Sequence, residues 1–147
     1  MEMRRFNFPG GIFWKCQRCA RCCGDTPERE RRILLLPSEA SRIIEAVKIP
    51  LKKFCQRTES EPFSLELKKN SLGKCILLKV NQCQIYSLRP LICRFYPFWL
   101  EKHGDRDFSF KMTTECPGIG SGQILKEAFF TNLFNLAMDK LSVDNTQ

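Results

Sequence analysis

The spacing of apolar residues along the chain predicts two amphipathic helices. Apolar side chains from Ala40 to Val47 recur at helical spacing, which predicts a helix near residues 38–48, capped by Ser38 and ended by Pro50. A second helical pattern covers about residues 123–141 at the C-terminal end. Its predicted buried stripe consists of Ile124, Leu125, Ala128, Phe129, Leu133, Leu136 and Ala137.

Between the helices, short apolar stretches bounded by turn residues predict strands. The strands are expected at 31–36, 63–67 and 75–80, and on both sides of a hairpin over 98–112. Residues 70–74 are predicted to form the turn between the second and third stretches, and Asn81-Gln82 to tighten another. Leu51 to Cys55 suggests a short helical turn, whereas residues 1–27 carry repeated backbone breakers and are expected to be irregular. The pattern therefore predicts an α+β fold of short strands and hairpins.

Length and composition fit one folded domain over residues 1–147. The chain is 43% hydrophobic, which is enough to build a core. No apolar run reaches the length of a transmembrane helix. The first residues lack the apolar region of a signal peptide, so we expect a cytoplasmic protein, in a compartment that keeps thiols reduced.

Nine cysteines carry most of the chemical information. Four lie in CQRCARCC at residues 16–23, where successive C-x-x-C spacings let side chains converge on a metal. An odd cysteine count in a reducing compartment favours metal ligands over disulfides. Because adjacent side chains seldom converge on one ion, Cys22 and Cys23 indicate two close metal centres or one multinuclear cluster. In the alternative, one of the two is a small buried apolar residue.

Three motifs in order carry a resemblance to a known family. These are CQRCARCC, then GKCILLKVNQCQIYSLRPLICRFYPF, then ECPGIGSG, over about residues 16–122. Together they resemble the YkgJ-type cysteine-cluster family, which implies chelation of zinc or iron. The resemblance leaves Cys55 outside and implies eight metal ligands: Cys16, Cys19, Cys22, Cys23, Cys75, Cys83, Cys93 and Cys116.

The middle motif predicts where two arginines lie. A turn at Arg89-Pro90 could bring Cys83 and Cys93 together, with Pro90 opening a short helix that carries Cys93. Arg89 and Arg94 would then lie beside the cluster as cofactor-binding residues that stabilise thiolate charge. In the alternative, both arginines pair with surface carboxylates.

The net charge of +8 has two interpretations. It can balance negatively charged metal–thiolate sites, or it can form a basic face for nucleic acid. The glycine-rich residues 118–122 are expected to form a flexible loop behind Cys116 and not a phosphate cradle, because the motif lacks a Walker lysine. No set of catalytic side chains is recognisable, so the sequence leaves open whether the protein is an enzyme.

Two functions from different classes follow from these observations. The first is an iron–sulfur protein in electron transfer, redox sensing or cluster-assisted modification of a partner. The second is a zinc-stapled module that contacts RNA, the ribosome or an acidic protein through a basic face. The sequence does not choose between the metals, because both accept four thiolates, and it does not specify the partner.

Overall fold

The computed structural model describes residues 4–17, 19, 21–27, 29–80 and 82–145. These residues form a mixed α+β fold, which confirms the predicted fold class. The strands are β1 (Arg5–Asn7), β2 (Phe13–Trp14), β3 (Leu34–Leu35), β4 (Cys55–Ser60), β5 (Phe63–Leu67), β6 (Leu78–Lys79), β7 (Gln82–Cys83), β8 (Phe98–Lys102), β9 (Asp107–Met112) and β10 (Ile119–Ile124). The helices are α1 (Pro37–Val47), α2 (Leu51–Phe54), α3 (Leu91–Phe95) and α4 (Glu127–Asn145), and short 3-10 turns cover Arg21–Cys23 and Tyr86–Leu88.

The contacts of the chain group into two compact units. The first unit combines residues 1–17 with residues 95–136, and the second combines residues 18–94 with residues 137–147. Segments that are distant in sequence thus share a core in both units. The bounds of a single domain over residues 1–147 stay a prediction.

The second unit is built on the antiparallel sheet β3-β5-β4, with α1 packed on β5. Its apolar core includes Ile43 of α1 and Leu35 of β3, both fully buried, with Phe54 of α2. The predicted stripe of α1 is confirmed, because Ala40 and Ile43 are buried while Ile44 and Val47 are partly buried against the core.

The bounds of α1 lie within one residue of the predicted 38–48, but the predicted cap at Ser38 was wrong. The helix begins at Pro37 with Leu36 as its N-cap, because the Glu39 carboxylate accepts a hydrogen bond from the Leu36 backbone N–H at 2.9 Å. Ser38 therefore lies in the first turn. The helix ends at Val47, ahead of Pro50, because Lys48 adopts the left-handed conformation (φ 55°) that closes a helix.

The strand pairing of the second unit also differs from the prediction. Strand β5 does not pair with residues 75–80; it pairs with β4, whose polar sequence CQRTES gave no strand signal. Of residues 75–80 only Leu78–Lys79 is a strand, paired with β7. The predicted turn at 70–74 is confirmed, because the Asn70 side chain accepts from the backbone N–H groups of Leu72 and Lys74. In the predicted Asn81-Gln82 turn, Asn81 lies outside the described residues.

The first unit has an aromatic core. Parallel pairing of β1 with β9 and antiparallel pairing of β8 with β9 form a three-stranded sheet, which confirms the predicted hairpin over 98–112. Phe6 and Phe8 from the N-terminal segment pack against Phe134 and Phe130 of α4, with centroids 4.8 Å apart in each pair. The expectation of an irregular segment before residue 28 was therefore wrong for residues 5–7 and 13–14, since distant strands supply their hydrogen bonds.

The glycine-rich residues after Cys116 form a strand and not a flexible loop. Strand β10 pairs with β2, and a side chain at Gly118 would clash with the Lys15 carbonyl oxygen. Glycine thus permits close strand approach here. As a result Ile124 is an exposed strand residue, and α4 begins only at Glu127.

The predicted buried stripe of helix α4 is only partly confirmed. Ala137 of that stripe is buried and Phe129, Leu133 and Leu136 are partly buried, whereas Ala128 is exposed and the buried Phe130 and Phe134 lie outside the prediction. Phe130 and Phe134 are buried because they pack against aromatic rings of the first unit. Within the described ranges, no helix is both long enough and apolar enough to cross a bilayer.

A buried carboxylate in the second unit is the basis of a stability prediction. The Glu39 side chain also accepts from the Leu91 backbone N–H and lies 3.5 Å from Lys140 Nζ. Glu39→Ala should lower the free energy of unfolding by about 2–4 kcal/mol, because buried donors and a charge lose their partner. Urea denaturation measures this change.

The matched control is Glu45→Ala, an exposed glutamate on the same helix. It should change the free energy of unfolding by no more than about 0.5 kcal/mol. Equal denaturation midpoints for the two variants would contradict a stabilising role of Glu39.

Candidate metal centre

Five of the eight predicted cysteine ligands lie in or against one apolar core in the second unit. The Cys22 and Cys23 sulfurs lie 3.9 Å apart. Cys22 also interacts electrostatically with Cys75, Cys83 and Cys93. All five cysteines belong to, or pack against, the apolar core of this unit. The fold therefore brings together thiols from four separate stretches of sequence.

Backbone hydrogen bonds place the N-terminal pair beside Cys75. The Cys75 N–H donates to the Cys23 carbonyl, and Gly24 forms an antiparallel bridge with Lys74. A Cβ on Gly24 would lie 2.9 Å from the Gly73 carbonyl oxygen, so glycine is needed for this close approach of the two backbones. The Asp25 carboxylate, next to Gly24, also accepts a hydrogen bond from Lys69 Nζ at 2.9 Å. This bond further connects the first cysteine segment to the residues before Cys75.

Two short elements position the other thiols. Cys83 lies on β7 opposite Leu78. Cys93 lies on α3, which follows Pro90 as predicted for a proline-opened helix. The convergence of Cys83 and Cys93 on one metal stays a prediction.

The surroundings of the thiols affect their pKa values in opposite directions. The hydrogen bond with the Cys23 thiol lowers the pKa of Cys22 to about 6, with a further contribution from Arg31. The same hydrogen bond and burial raise the pKa of Cys23. Burial raises the pKa of Cys75 to about 11 and that of Cys93 to about 12. Several thiolates can therefore coexist here only beside additional positive charge.

This donor set fits a thiophilic metal. Thiolate sulfurs are the ligands of structural zinc and of iron–sulfur clusters, and a bound cation deprotonates its thiols. Within the described part of the chain, however, no three donor side chains converge as closely as the ligands of one ion. The eight-cysteine ligand set therefore stays a prediction.

The remaining signature cysteines occupy different surroundings. In the first unit, Cys116 is buried and accepts a hydrogen bond from the Trp14 indole N–H at 3.3 Å, while Cys16 is exposed. In the second unit, Cys19 is exposed. Cys55, outside the signature, is buried at the start of β4 and interacts electrostatically with Cys75. Burial raises the pKa of the Cys55 thiol to about 12.

The two predicted arginines donate to backbone carbonyls. Arg89 Nε donates to the Tyr86 carbonyl at 2.9 Å, and its guanidinium lies 3.9 Å from the centroid of the Tyr86 ring. Its charge acts on Cys22 and Cys83. Arg94 donates to the carbonyls of Arg89 and Ser87. Direct binding of a cofactor by either arginine stays a prediction.

Sequence reasoning missed Arg31, a buried cation beside Cys22. Its side chain is buried, its Nε donates to the Cys22 carbonyl at 2.8 Å, and its charge acts on Cys22 and Cys93. Arg31, Ile33 and Leu35 alternate inward, whereas Arg32 is exposed. The period-2 pattern entering β3 was therefore the available signal, because it places Arg31 on the buried face.

Comparison with known proteins connects this cysteine arrangement to a family. Residues 15–117 match the family model described as "CxxCxxCC: Putative zinc- or iron-chelating domain". The chain belongs to this family. The match confirms the resemblance drawn from the motifs and supports metal chelation by the CxxCxxCC cysteine cluster, with zinc or iron as the metal.

Two relatives from Methanocaldococcus jannaschii are similar over most of the chain. The first, named "Uncharacterized protein MJ0661", is 31% identical over 141 residues, covering 88% of this chain and 73% of the relative. The second, "Uncharacterized protein MJ0939", is 29% identical over 122 residues, covering 80% of this chain and 41% of the relative. The chain thus spans less than half of the second relative. No solved structure matches the chain.

The position of Arg31 predicts a specific effect on metal retention. In metal-loaded protein, Arg31→Met should release metal to a chelator at least about tenfold more readily, because the thiolates lose a nearby positive charge and the Cys22 carbonyl loses its hydrogen-bond donor. Arg32→Met is the matched control, since the exposed Arg32 pairs with Glu66 at 2.7 Å on the other face. Equal metal retention by both variants in a competition titration would exclude this role for Arg31.

Proposed function

We propose that the chain is an iron–sulfur protein that exchanges electrons with a partner. The observation that carries the proposal is the packing of five signature thiols in or against one apolar core of the second unit. A tetrahedral zinc site takes four ligands. Five thiols in one core favour a multinuclear cluster or two neighbouring centres, and iron–sulfur clusters are the common multinuclear thiolate sites.

The protein surroundings support a redox role. Cys23 and Cys75 are buried, so the apolar core around them would restrict water at the cluster. The positive charges of Arg31 and Arg89 both act on the neighbouring Cys22 thiol. Both features tune the reduction potential of an iron–sulfur centre, which supplies one-electron exchange when bound. The chain's own contribution is to hold the thiols and compensate their charge.

The free cysteine thiols are also relevant to the cellular compartment in which the protein functions. Each of the nine cysteines is a free thiol, including the buried Cys55 and Cys75. A reducing environment keeps cysteines in this state. We therefore include a cytoplasmic location in the proposal.

The charge distribution makes a zinc-stapled nucleic-acid module the weaker alternative. Lys69 pairs with Asp25 at 2.9 Å and lies 3.7 Å from Glu30, and Lys68 Nζ donates to the Lys52 carbonyl. These lysines therefore have protein partners. With Arg31 beside the thiols, part of the +8 charge serves the fold and the cysteines.

Anaerobic purification distinguishes the two metals. We expect brown protein with visible absorbance that bleaches on reduction, and iron and sulfide in comparable amounts on chemical analysis. Colourless protein with stoichiometric zinc would contradict the iron–sulfur proposal and support the zinc alternative.

Cysteine variants test which thiols hold the metal. Cys93→Ser should lose most of the bound iron, because Cys93 is a predicted ligand and a hydroxyl is a poor substitute for thiolate. Cys55→Ser is the matched control, as it removes a buried thiol outside the signature. Iron content and visible absorbance, measured beside far-ultraviolet circular dichroism, separate metal loss from unfolding. Retention of iron by Cys93→Ser, or equal loss by Cys55→Ser, would count against the proposed ligand set.

A further inference from the structure

The first unit contains an open cleft of about 460 Å³. It lies among residues of the β2–β10 strand pair and the start of α4, and its lining includes Trp14, Lys15, Ile124, Lys126 and Phe129. None of its lining residues is acidic. Clefts of about 300–1,000 Å³ with aromatic walls and a few polar groups are typical small-molecule sites.

The aromatic wall is held in place by the surrounding protein. The Trp14 ring lies 6.3 Å from the Phe98 ring and 6.0 Å from the Phe129 ring, centroid to centroid. Its indole N–H donates to Cys116 Sγ at 3.3 Å. Because these contacts fix the tryptophan before any ligand arrives, binding against its exposed surface requires little ordering.

The backbone around the cleft is also fixed. The Lys15 N–H donates to the Gly118 carbonyl at 3.2 Å, and the Leu125 N–H donates to the Ile12 carbonyl at 2.8 Å. Gly122 has a φ of +77°, and a Cβ there would lie 2.8 Å from the Lys15 Cβ. Glycine at this position therefore preserves the space beside the Lys15 side chain.

The lining indicates the chemistry of the ligand. Exposed lysines at positions 15 and 126 attract an anionic group, and the cleft offers no carboxylate to neutralise them. Trp14 and Phe129 provide surface for a planar ring. We propose that this cleft binds a small molecule that combines an aromatic ring with a carboxylate or phosphate. The site goes beyond the redox function and does not depend on which metal the cysteines hold.

Isothermal titration calorimetry on the metal-loaded protein tests this proposal with two probes. AMP represents an aromatic phosphate, and 2-naphthoate represents an aromatic carboxylate. Adenosine and inorganic phosphate are the controls, because each lacks one of the two required features. Binding of AMP alone supports a nucleotide-like ligand, binding of 2-naphthoate alone supports an aromatic acid, and binding of both supports the shared chemistry.

Substitutions locate the binding in the cleft. Lys15→Gln and Lys126→Gln should each weaken probe binding about three- to tenfold, and added salt should weaken wild-type binding. Lys102→Gln is the control, because Lys102 is an exposed lysine of β8 in the same unit and is not part of the cleft. Since Lys15 adjoins Cys16, metal content is measured in each variant, and Lys126→Gln provides the test that is remote in sequence from the cysteines.

Three results would overturn the proposal. The first is no binding of either probe at about 1 mM, where affinity corresponds to only about 4 kcal/mol. The second is equally tight binding of adenosine and AMP, and the third is equal weakening by Lys102→Gln and Lys126→Gln. A colourless zinc protein that binds the probes would contradict the iron–sulfur proposal and leave this site intact.

Discussion

The burial of cysteine thiols in an apolar core is the main physical constraint on the second unit. Five signature thiols lie in or against one apolar core, where a thiolate loses the solvation it has in water. The pKa of Cys22 is lowered by the neighbouring Cys23 thiol and by Arg31, while burial raises the pKa values of Cys75 and Cys93. The thiols can ionise together only if local positive charge compensates them. Nearby arginines and a bound metal ion are two sources of this positive charge.

The backbone brings the sulfur-bearing segments together through contacts of its own. The Cys75 N–H donates to the Cys23 carbonyl, and the Asp25 carboxylate accepts from the Arg31 N–H at 2.7 Å and from Lys69. These bonds join the first cysteine segment to the residues before β3, to Lys69 and to Cys75. These hydrogen bonds therefore order the cysteine-bearing segments without involving the thiols. The segments are thereby preorganised for metal binding.

The first unit is organised by a different interaction. Its core is a network of phenylalanine rings from β1, β9 and α4, and Trp14 extends this network to Cys116. Aromatic packing fixes Trp14, whose ring forms one wall of the cleft described above. Trp14 therefore contacts the Cys116 sulfur and also lines the proposed ligand cleft. The aromatic packing of this unit thus positions a binding surface besides filling the core.

The sequence by itself determined the features that arise from local pattern. Helical periodicity located α1, turn chemistry located residues 70–74, and the cysteine motifs identified the family. Helix ends were less predictable, because the α1 cap depends on the Glu39 side chain and not on the serine that follows Pro37.

Only the tertiary structure decided the features that depend on distant partners. Strand β4 has a polar sequence and forms because β5 completes its hydrogen bonds, and the glycine-rich β10 forms because its missing side chains admit Lys15. Arg31 became part of the thiol environment because the alternating segment that leads into β3 directs it inward, where it bonds to the Cys22 carbonyl. Spacing along the chain predicts which thiols chelate, whereas charge compensation and strand pairing join residues far apart in sequence and are fixed only when the chain packs.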